Sequence, residues 1–587
     1  MQPAGYSPFR HRRGEKKPFK LPFSLPKFSG GMKKWIYILL GIILGLFLIF
    51  YICLGDLRFF ANHYLGLTFF NKNYLIVLQN NYELRPGGGF VTAYGKMDTL
   101  LGFPTHLSFH NSYEIDTETY ITPPYPHEDL LKNEWYEGYT FRDANWDPHF
   151  PNAAEELKTF YQLKFPSNDV DGVVVVNFSF IEDLIGELGE IEVNEKILTK
   201  KNLFGELEFE VNDIDRHSEE ALEGRKSILS DLAGNLITKA KWHPFKTRDA
   251  VVNALHNKDI YMWMDNSIER SLIKKGWANN LETEDGMDFL AVNIANLGAK
   301  KADRYIQKEV HYFANLTKEI PEITTEVTIR YPGYKNTYSD DYKGYLRVLV
   351  PKGADIDADL IDATVTEEDN YKVLGTKIIV PAGSKSTITY TYTLPRTFLN
   401  GTDYKLRVIK QSGDNKHYFL NFETASDHAL ESETLVTLEN RASWSGMLTN
   451  DEDFLLEILP DETAPYPIEQ VFEALNTISI YWSEPIDKTS GSDLNNFSIF
   501  DKNTVYPNVT DEVKVGLAEV VGENIIKLEL EGVTNQPLER YQIEMVGIKD
   551  TSGNVINPIP KIITAVQRIQ EKTEESAIPT SSPFSLN

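Results

Sequence analysis

The chain has 587 residues, and its formal net charge at pH 7 is −26 because 85 acidic residues outnumber 59 lysines and arginines. A surplus of negative charge repels phosphate backbones, so the composition argues against a nucleic-acid partner. Cys53 is the single cysteine, which excludes an internal disulfide and any metal site built from several thiolates. The fold must therefore be stabilised by hydrophobic cores, which a chain of this length can supply in several domains.

The N-terminal residues carry the pattern of a membrane anchor. Residues 1–34 form a basic tail with nine lysines or arginines against one acid, Glu15. Residues 35–54 are uncharged and predominantly apolar, and a helix of that length spans the ~30 Å hydrocarbon layer of a bilayer. The positive-inside rule keeps the basic tail in the cytoplasm. The sequence therefore predicts a single-pass membrane protein, with the lipid bilayer as a partner and the C-terminal bulk extracytoplasmic.

Residues 70–318 alternate between strand-like and helix-like segments. Residues 74–79 and 172–177 are continuous apolar runs, as expected of strands buried on both faces. Apolar side chains recur at helical spacing in three further segments. The predicted helices are residues 152–162, 179–188 and 218–241. Together these elements predict an α/β sandwich domain.

The pattern changes to a period of two after this domain. Residues 320–461 contain alternating segments separated by turn signals, which is typical of an antiparallel β-sandwich. Residues 465–563 repeat the pattern and predict a second β-module. Residues 565–587 are rich in threonine, serine, proline and glutamate, and we expect them to be disordered.

Several segments resemble an uncharacterised family of bacterial membrane-anchored proteins, known only as a domain of unknown function. The resemblance rests on residues 78–90 (LQNNYELRPGGGF) and 142–151 (RDANWDPHFP), and on residues 288–298 and 301–304 as a closing signature. It covers roughly residues 70–410. It implies a location in a bacterial cell membrane and cell envelope.

The core of that family is similar to the LytR-CpsA-Psr enzymes, which transfer glycopolymers from a polyprenyl-pyrophosphate carrier to cell-wall peptidoglycan. The likeness lies in residues 170–178 and 180–193 and in the basic pair Arg225 and Lys226. It implies an α/β fold and Mg²⁺-dependent phosphotransferase chemistry. The arginine and aspartate motifs of those enzymes are not reproduced in their usual form.

The last module resembles bacterial Ig-like domains of the S-layer type, through residues 478–487 and 541–554. Such modules are usually spacers or adhesive stalks. The resemblance therefore implies an Ig-like β-sandwich as the final domain.

A glycine loop follows the first predicted strand and is a candidate phosphate site. Arg85 could bind an anion with its guanidinium, while Gly87, Gly88 and Gly89 would let backbone N–H groups approach it. The alternative is a structural turn in which the arginine pairs with a neighbouring acid. The sequence leaves both interpretations open.

The second motif supplies residue types that a pyrophosphate transferase needs. Arg142 offers a second guanidinium, Asp143 a carboxylate that could hold Mg²⁺, and Asn145 an amide donor. Asp98 is the other candidate metal ligand. The resemblance implies that Arg225 completes a cluster of three catalytic arginines with Arg85 and Arg142. A packed turn with an Arg–Asp structural pair explains the same residues equally well.

Two functions are compatible with these features. The first is a membrane-anchored envelope protein that binds polyprenyl-linked phosphorylated glycans and transfers them to a cell-wall polymer, with Mg²⁺ as a cofactor. The second is a non-catalytic surface protein for adhesion or envelope assembly, in which the Ig-like module is a stalk or binding domain. The catalytic residues of the first hypothesis are Arg85, Arg142 and Arg225.

Overall fold

The computed structural model describes Gly45 and residues 72–564, with gaps at 101–102, 117–120, 125, 128–137, 207–218, 265–275, 282–283, 299–300, 336–339, 358–361, 369, 401, 475, 502–511, 532–540 and 557–562. The predicted tail (1–34), the predicted membrane helix (35–54) apart from Gly45, and the predicted disordered end (565–587) lie outside the described residues. Within the described part, no helix has both the length and the apolar composition needed to cross a membrane. The anchor therefore stays a prediction.

The first region is an α/β domain. Its elements are β1 (Lys72–Asn80), β2 (Phe90–Leu100), β3 (Phe103–Asn111), α1 (Tyr113–Asp116), α2 (Phe150–Lys164), β4 (Gly172–Asn177), α3 (Phe178–Leu188), β5 (Ile191–Val193), β6 (Lys196–Leu198), α4 (Glu219–Trp242), α5 (Pro244–His256) and β7 (Ile260–Met264). The main sheet has the order β3-β2-β1-β4-β7. Its central pair, β1 and β4, is parallel, and the outer pairs are antiparallel.

The two strands and three helices predicted in this region are confirmed, with each end within two residues of its predicted position. Local signals fix several of these ends. Pro151 lies in the first turn of α2, where its missing N–H has no helical partner to lose. Gly189 follows α3 with a φ of 88°, which a residue without Cβ adopts freely.

Helices cover the sheet of this domain. The buried side of α2 includes Ala153, Leu157 and Phe160, and it belongs to the same core as Val173 and Val175 of β4. Helix α3 packs against β1, β4 and α5. The predicted strands are apolar throughout because this central part of the sheet is packed on its faces rather than exposed to water.

A large β-sandwich follows. Its strands are β8 (Asp288–Asn296), β9 (Gln307–Asn315), β10 (Glu322–Arg330), β11 (Tyr342–Pro351), β12 (Thr364–Glu367), β13 (Tyr371–Val380), β14 (Lys385–Thr393), β15 (Leu399–Asn400), β16 (Asp403–Ile409), β17 (His417–Glu423), β18 (His428–Glu431), β19 (Val436–Leu438), β20 (Arg441–Met447) and β21 (Glu452–Pro460). One sheet has the order β14-β10-β9-β17-β20-β19. The other has the order β12-β13-β11-β8-β16-β21-β18, with β15 beside β16.

The sandwich begins earlier in the chain than the sequence suggested. Strands β8 and β9 lie within residues 70–318, which we assigned to the α/β domain, yet they pair with sandwich strands on both sides. Leu290, Val292 and Ile294 of β8 enter the sandwich core, whereas Ala295 packs in the core of the α/β domain. Phe289 and Ala291, on the second face of β8, pack in a smaller cluster with Leu349 and Ile409. A strand that is buried on both faces has the apolar sequence expected of an α/β sheet.

The C-terminal module is a smaller β-sandwich. Its elements are β22 (Pro467–Ala474), β23 (Thr477–Trp482), α6 (Lys488–Gly491), β24 (Phe497–Asp501), β25 (Glu512–Val513), β26 (Val515–Val521), β27 (Ile525–Leu530), β28 (Tyr541–Met545) and β29 (Ile563–Thr564). The two sheets have the orders β22-β23-β27-β26 and β25-β24-β28-β29. They enclose a core of their own that includes Trp482, Ile499 and Leu528. A multidomain chain composed mostly of β-sandwich sheets is thus confirmed.

Three carboxyl groups meet where this module joins the large sandwich. Oxygen atoms of Asp461, Glu484 and Asp550 lie within 4.8 Å of one another. Glu484 and Asp550 are 4% and 1% exposed. Burial, together with the charges of Asp461 and Asp550, raises the pKa of Glu484 to about 8.

Replacing Glu484 with glutamine is expected to stabilise the C-terminal module at alkaline pH. The folded pKa of about 8 lies above the ordinary value of 4.5, so the folded state binds the proton more tightly than the unfolded state. Stability contributed by this group is therefore complete below pH 4.5 and is lost as the pH rises through 8. At pH 9 we expect Glu484→Gln to add about 1–3 kcal/mol to the free energy of unfolding.

Urea unfolding of the full-length protein at pH 5, 7 and 9 measures this effect. The matched control is Glu529→Gln, since Glu529 is exposed on β27 of the same module. The control should leave the pH dependence unchanged. Equal stabilities of wild type and Glu484→Gln at pH 9 would contradict the prediction.

Candidate functional site

The glycine loop connects β1 to β2, and the N–H groups of its three glycines are all used within the protein. Gly87 donates to the carbonyl of Asn145 at 2.9 Å, and Gly88 donates to the carbonyl of Arg85 at 2.9 Å. The N–H of Gly89 donates to Oε1 of Gln79 at 3.0 Å. A phosphate-binding loop needs N–H groups that point at the ligand. These three point at protein acceptors instead.

Close packing explains why the loop consists of glycines. Gly88 has a φ of 125°, a conformation that other residues rarely adopt. A Cβ on Gly89 would lie 2.5 Å from the backbone carbon of Asn80. The motif is therefore required by conformation and space, whichever function it serves.

Arg85 is buried, with 1% of its surface exposed. Its Nη1 donates to the carbonyl of Asn296 at 2.7 Å. Its Nη2 lies 3.4 Å from Glu83 and its Nε lies 3.5 Å from Asp143. The guanidinium thus lies between the α/β domain and strand β8 and has acidic partners in the protein.

The second motif packs directly against this loop. Asp143 is 3% exposed; burial raises its pKa, but the hydrogen bond with His127 and the charge of Arg85 outweigh that effect and hold the pKa below its ordinary value. The amide of Asn145 donates to the carbonyl of Gly89. Arg85, Asp143, Asn145 and the three glycines are therefore brought together, as the phosphate-site hypothesis required, but in a buried position.

Arg142 belongs to a separate pair in the same motif. It is 8% exposed, forms an ion pair with Asp116, and places its guanidinium carbon 4.1 Å from the centre of the Tyr113 ring. Burial is the main cause that raises the pKa of Asp116 to about 6, against the charge of Arg142. This arrangement fits the structural Arg–acid pair that the sequence left open as an alternative.

The remaining predicted residues do not join this group. Asp98 lies on β2, is partly exposed, and has Lys96 at 3.7 Å. The backbone of Arg225 lies in α4, and its side chain is outside the described part. Asp143 is surrounded by the cationic Arg85 and Arg142, an environment that suits an anion and does not fit Mg²⁺. Among the described residues, the acids close enough to form a set of three metal ligands are Asp461, Glu484 and Asp550.

The loop between β16 and β17, residues 410–416, is the part of this region that the sequence analysis missed. Gln411 donates to the carbonyl of Arg85 at 3.0 Å. Ser412 donates to the carbonyl of Lys258 and accepts a hydrogen bond from Asn177. The sequence of this loop, KQSGDNK, is typical of an exposed loop, so its composition does not indicate burial.

A buried network of charges completes the contact. Lys308 Nζ lies 3.0 Å from Asp303 and 2.8 Å from Asp414, and Lys416 Nζ lies 2.6 Å from Asp414. Asp303 also accepts a hydrogen bond from the N–H of Leu84 at 3.0 Å. The closing signature of the family resemblance, which contains Asp303, therefore meets its opening signature in space.

We call these elements the domain joint: residues 84–89, 142–146, 293–298, 301–308 and 410–416. Leu84 is part of the sandwich core, although it belongs to the α/β chain segment. Asn293 donates to the carbonyl of Pro86 at 3.0 Å. Because buried polar groups are costly unless they are paired, these contacts require one fixed arrangement of the two domains.

Comparison with known proteins gives a family match for one part of the chain. Residues 71–211 match a family described as a protein of unknown function (DUF4012). No curated protein matches the chain.

Three solved structures show distant similarity to parts of the chain. The N-terminal part of the bacterial S-layer protein SbsC is 20% identical and covers 16% of this chain, with a TM-score of 0.15; this chain spans only 22% of that structure. The transcriptional regulator yvhJ from Bacillus subtilis is 13% identical over 36% of this chain and 77% of its own, with a TM-score of 0.22. The Lin1025 protein from Listeria innocua is 12% identical over 35% of this chain and 77% of its own, with a TM-score of 0.21.

Proposed function

We propose that this chain is a non-catalytic surface protein of the bacterial cell envelope. In this proposal residues 35–54 anchor it in the cell membrane, and the α/β domain and two β-modules are extracytoplasmic. The modules project a binding face for adhesion or envelope assembly, with the C-terminal module as a stalk or binding domain similar to S-layer Ig-like domains. Any kinship of the α/β domain with the LytR-CpsA-Psr enzymes then concerns the fold rather than the chemistry.

The observation that carries this proposal is the use of the predicted catalytic groups inside the domain joint. Arg85 and Arg142 are buried beside acidic partners, and the N–H groups of Gly87 to Gly89 have protein acceptors. Binding a pyrophosphate there would require these contacts to break. Each exchange would leave a buried carboxylate without its cation, which costs several kcal/mol.

The test is mass spectrometry of the lipids that co-purify with the full-length protein in mild detergent. A single-pass membrane protein of unrelated fold, purified in parallel from the same cells, is the control. We expect polyprenyl phosphates at the level of the control. Enrichment above that level, together with transfer of a radiolabelled glycan to peptidoglycan in the presence of Mg²⁺, would support the transferase alternative and overturn the proposal.

A second measurement tests the envelope-binding part of the proposal. Full-length protein and a chain that ends at residue 464 are each incubated with purified cell-wall sacculi and sedimented. The C-terminal module has a core of its own, so its removal leaves the large sandwich core intact. We expect sedimentation with the sacculi to fall at least several-fold in the shorter chain. Absence of sedimentation for both chains would contradict a wall-binding role.

A further inference from the structure

An exposed aromatic corner joins α4 to α5. Trp242 is the last residue of α4 and is 78% exposed, and Phe245, in the first turn of α5, is 65% exposed. All six residues from 241 to 246 are exposed. A tryptophan and a phenylalanine three residues apart usually pack into a core, since each ring can bury 150 Å² or more. At this corner both rings are in contact with water.

Basic side chains surround the two rings. Lys239, Lys241, Lys246 and Arg248 lie within ten residues of sequence that contain no acid. Arg248 is paired with Asp249, whereas Lys241 has no ion pair within the described part of the chain. Lys246 and Lys239 donate hydrogen bonds to the backbone carbonyls of Glu187 and Glu190. A cationic segment of this kind is unusual in a chain with a net charge of −26.

Specific hydrogen bonds hold the corner in place. The hydroxyl of Thr247 donates to the carbonyls of His243 and Ala240 at 2.9 and 3.2 Å. Lys246 Nζ donates to the carbonyl of Glu187 at 3.1 Å, and Lys239 Nζ donates to the carbonyl of Glu190 at 2.6 Å. The two lysine bonds link α4 and α5 to the C-terminal end of α3. The two rings are thus presented on an ordered support.

We propose that this corner docks on the surface of a bilayer that contains anionic lipid. Tryptophan and phenylalanine are favoured at the boundary between headgroups and acyl chains, where a ring becomes buried without losing all contact with water. Lysines beside them gain from the negative potential of anionic headgroups, by an amount that falls with ionic strength. The lysines favour an anionic partner, and the two exposed rings select a lipid surface over an acidic protein surface because they can be buried at the acyl-chain boundary. This contact is additional to the proposed anchor and does not depend on it.

The test places a fluorescent label on the corner of the full-length protein. Cys53→Ser removes the native thiol, and His243→Cys then introduces a single labelling site between the two rings for the environment-sensitive dye NBD. The labelled protein is reconstituted into vesicles of pure phosphatidylcholine or of phosphatidylcholine with 30% phosphatidylglycerol. Tyr334→Cys, at a position that is 83% exposed in the large sandwich, is the matched control label.

We expect the NBD emission at position 243 to rise at least twofold and to shift to the blue in the anionic vesicles, with less change in neutral vesicles and none at position 334. Trp242→Ser/Phe245→Ser should abolish the rise, and Lys241→Glu should reduce its dependence on anionic lipid. These side chains are exposed, so the variants should keep the wild-type unfolding curve. Emission at position 243 that stays as low as at position 334 in anionic vesicles would overturn the proposal. Flotation of the vesicles measures attachment of the protein through the anchor separately from the NBD emission. Loss of anchoring and loss of docking at the corner therefore give different results.

Discussion

Replacing Arg85 with alanine is expected to lower the free energy of unfolding by about 3–5 kcal/mol. The substitution removes a guanidinium that is 1% exposed and leaves Asp143 buried without that partner. It also removes the donor to the Asn296 carbonyl, which links the glycine loop to β8. The loss should therefore affect the α/β domain and the large sandwich together.

Guanidinium chloride unfolding of the full-length protein in detergent, followed by tryptophan fluorescence, measures this loss. Trp146 and Trp277 are buried in this region and report on its packing. Arg396→Ala is the control, because Arg396 and its partner Glu319 are 72% and 77% exposed and such pairs contribute at most about 1 kcal/mol. A wild-type unfolding curve for Arg85→Ala would show that the guanidinium is not structural. It would also return the phosphate-site hypothesis to first place.

Asp414→Ala is expected to destabilise the protein by a similar amount, about 3–5 kcal/mol. Asp414 lies between Lys308 and Lys416, and all three side chains are at most 6% exposed. Burial raises the pKa of Asp414, but the two ammonium groups outweigh it and hold the pKa well below the ordinary value of 3.8. Its contribution is therefore present above pH 4 and is lost as the pH falls further towards the folded pKa.

Unfolding free energies at pH 7 and at pH 3 separate this prediction from a general packing defect. The difference between wild type and Asp414→Ala should be large at pH 7 and smaller at pH 3, where the wild type has begun to lose the contribution. Asp453→Ala is the control, since Asp453 is 55% exposed and paired with Arg407 on the same sandwich. A difference that is equal at both pH values would indicate lost packing instead of lost charge pairing.

Individual strands and helices could be predicted from the sequence because the residues that define them are close together in the chain. Strand β4 has the predicted ends, and α3 stops before Gly189, as the glycine indicates. The range 70–318, which was assigned to the α/β domain, wrongly includes β8, because the apolar residues of this strand show only that both of its faces are buried. It does not show that one face belongs to the sandwich core, while the other packs partly in a smaller cluster and, at Ala295, against the α/β domain.

The members of the candidate site were easier to predict than their role. Arg85, Asp143, Asn145 and the glycines do come together. Whether a guanidinium faces an incoming anion or a buried carboxylate depends on what covers it, and the cover is supplied by residues more than 200 positions away. The loop at 410–416 could not be predicted as part of the site for the same reason. It is also far away in sequence, and its charged residues are typical of a surface loop.

The domain joint also determines how late in synthesis the α/β segment can complete its contacts. Arg85 depends on Asn296 and Gln411, which follow it by 211 and 326 residues. At about 5–20 residues per second, the last of these partners emerges some 15–65 s after Arg85. During that interval the α/β segment has its strands and helices but lacks the groups that hydrogen-bond to its buried edge and cover it, so a nascent chain would expose Leu84 and the loop around it. A chaperone or the export machinery that holds the chain for this period would protect it from aggregation, and truncation before residue 416 should yield a protein that is degraded rather than folded.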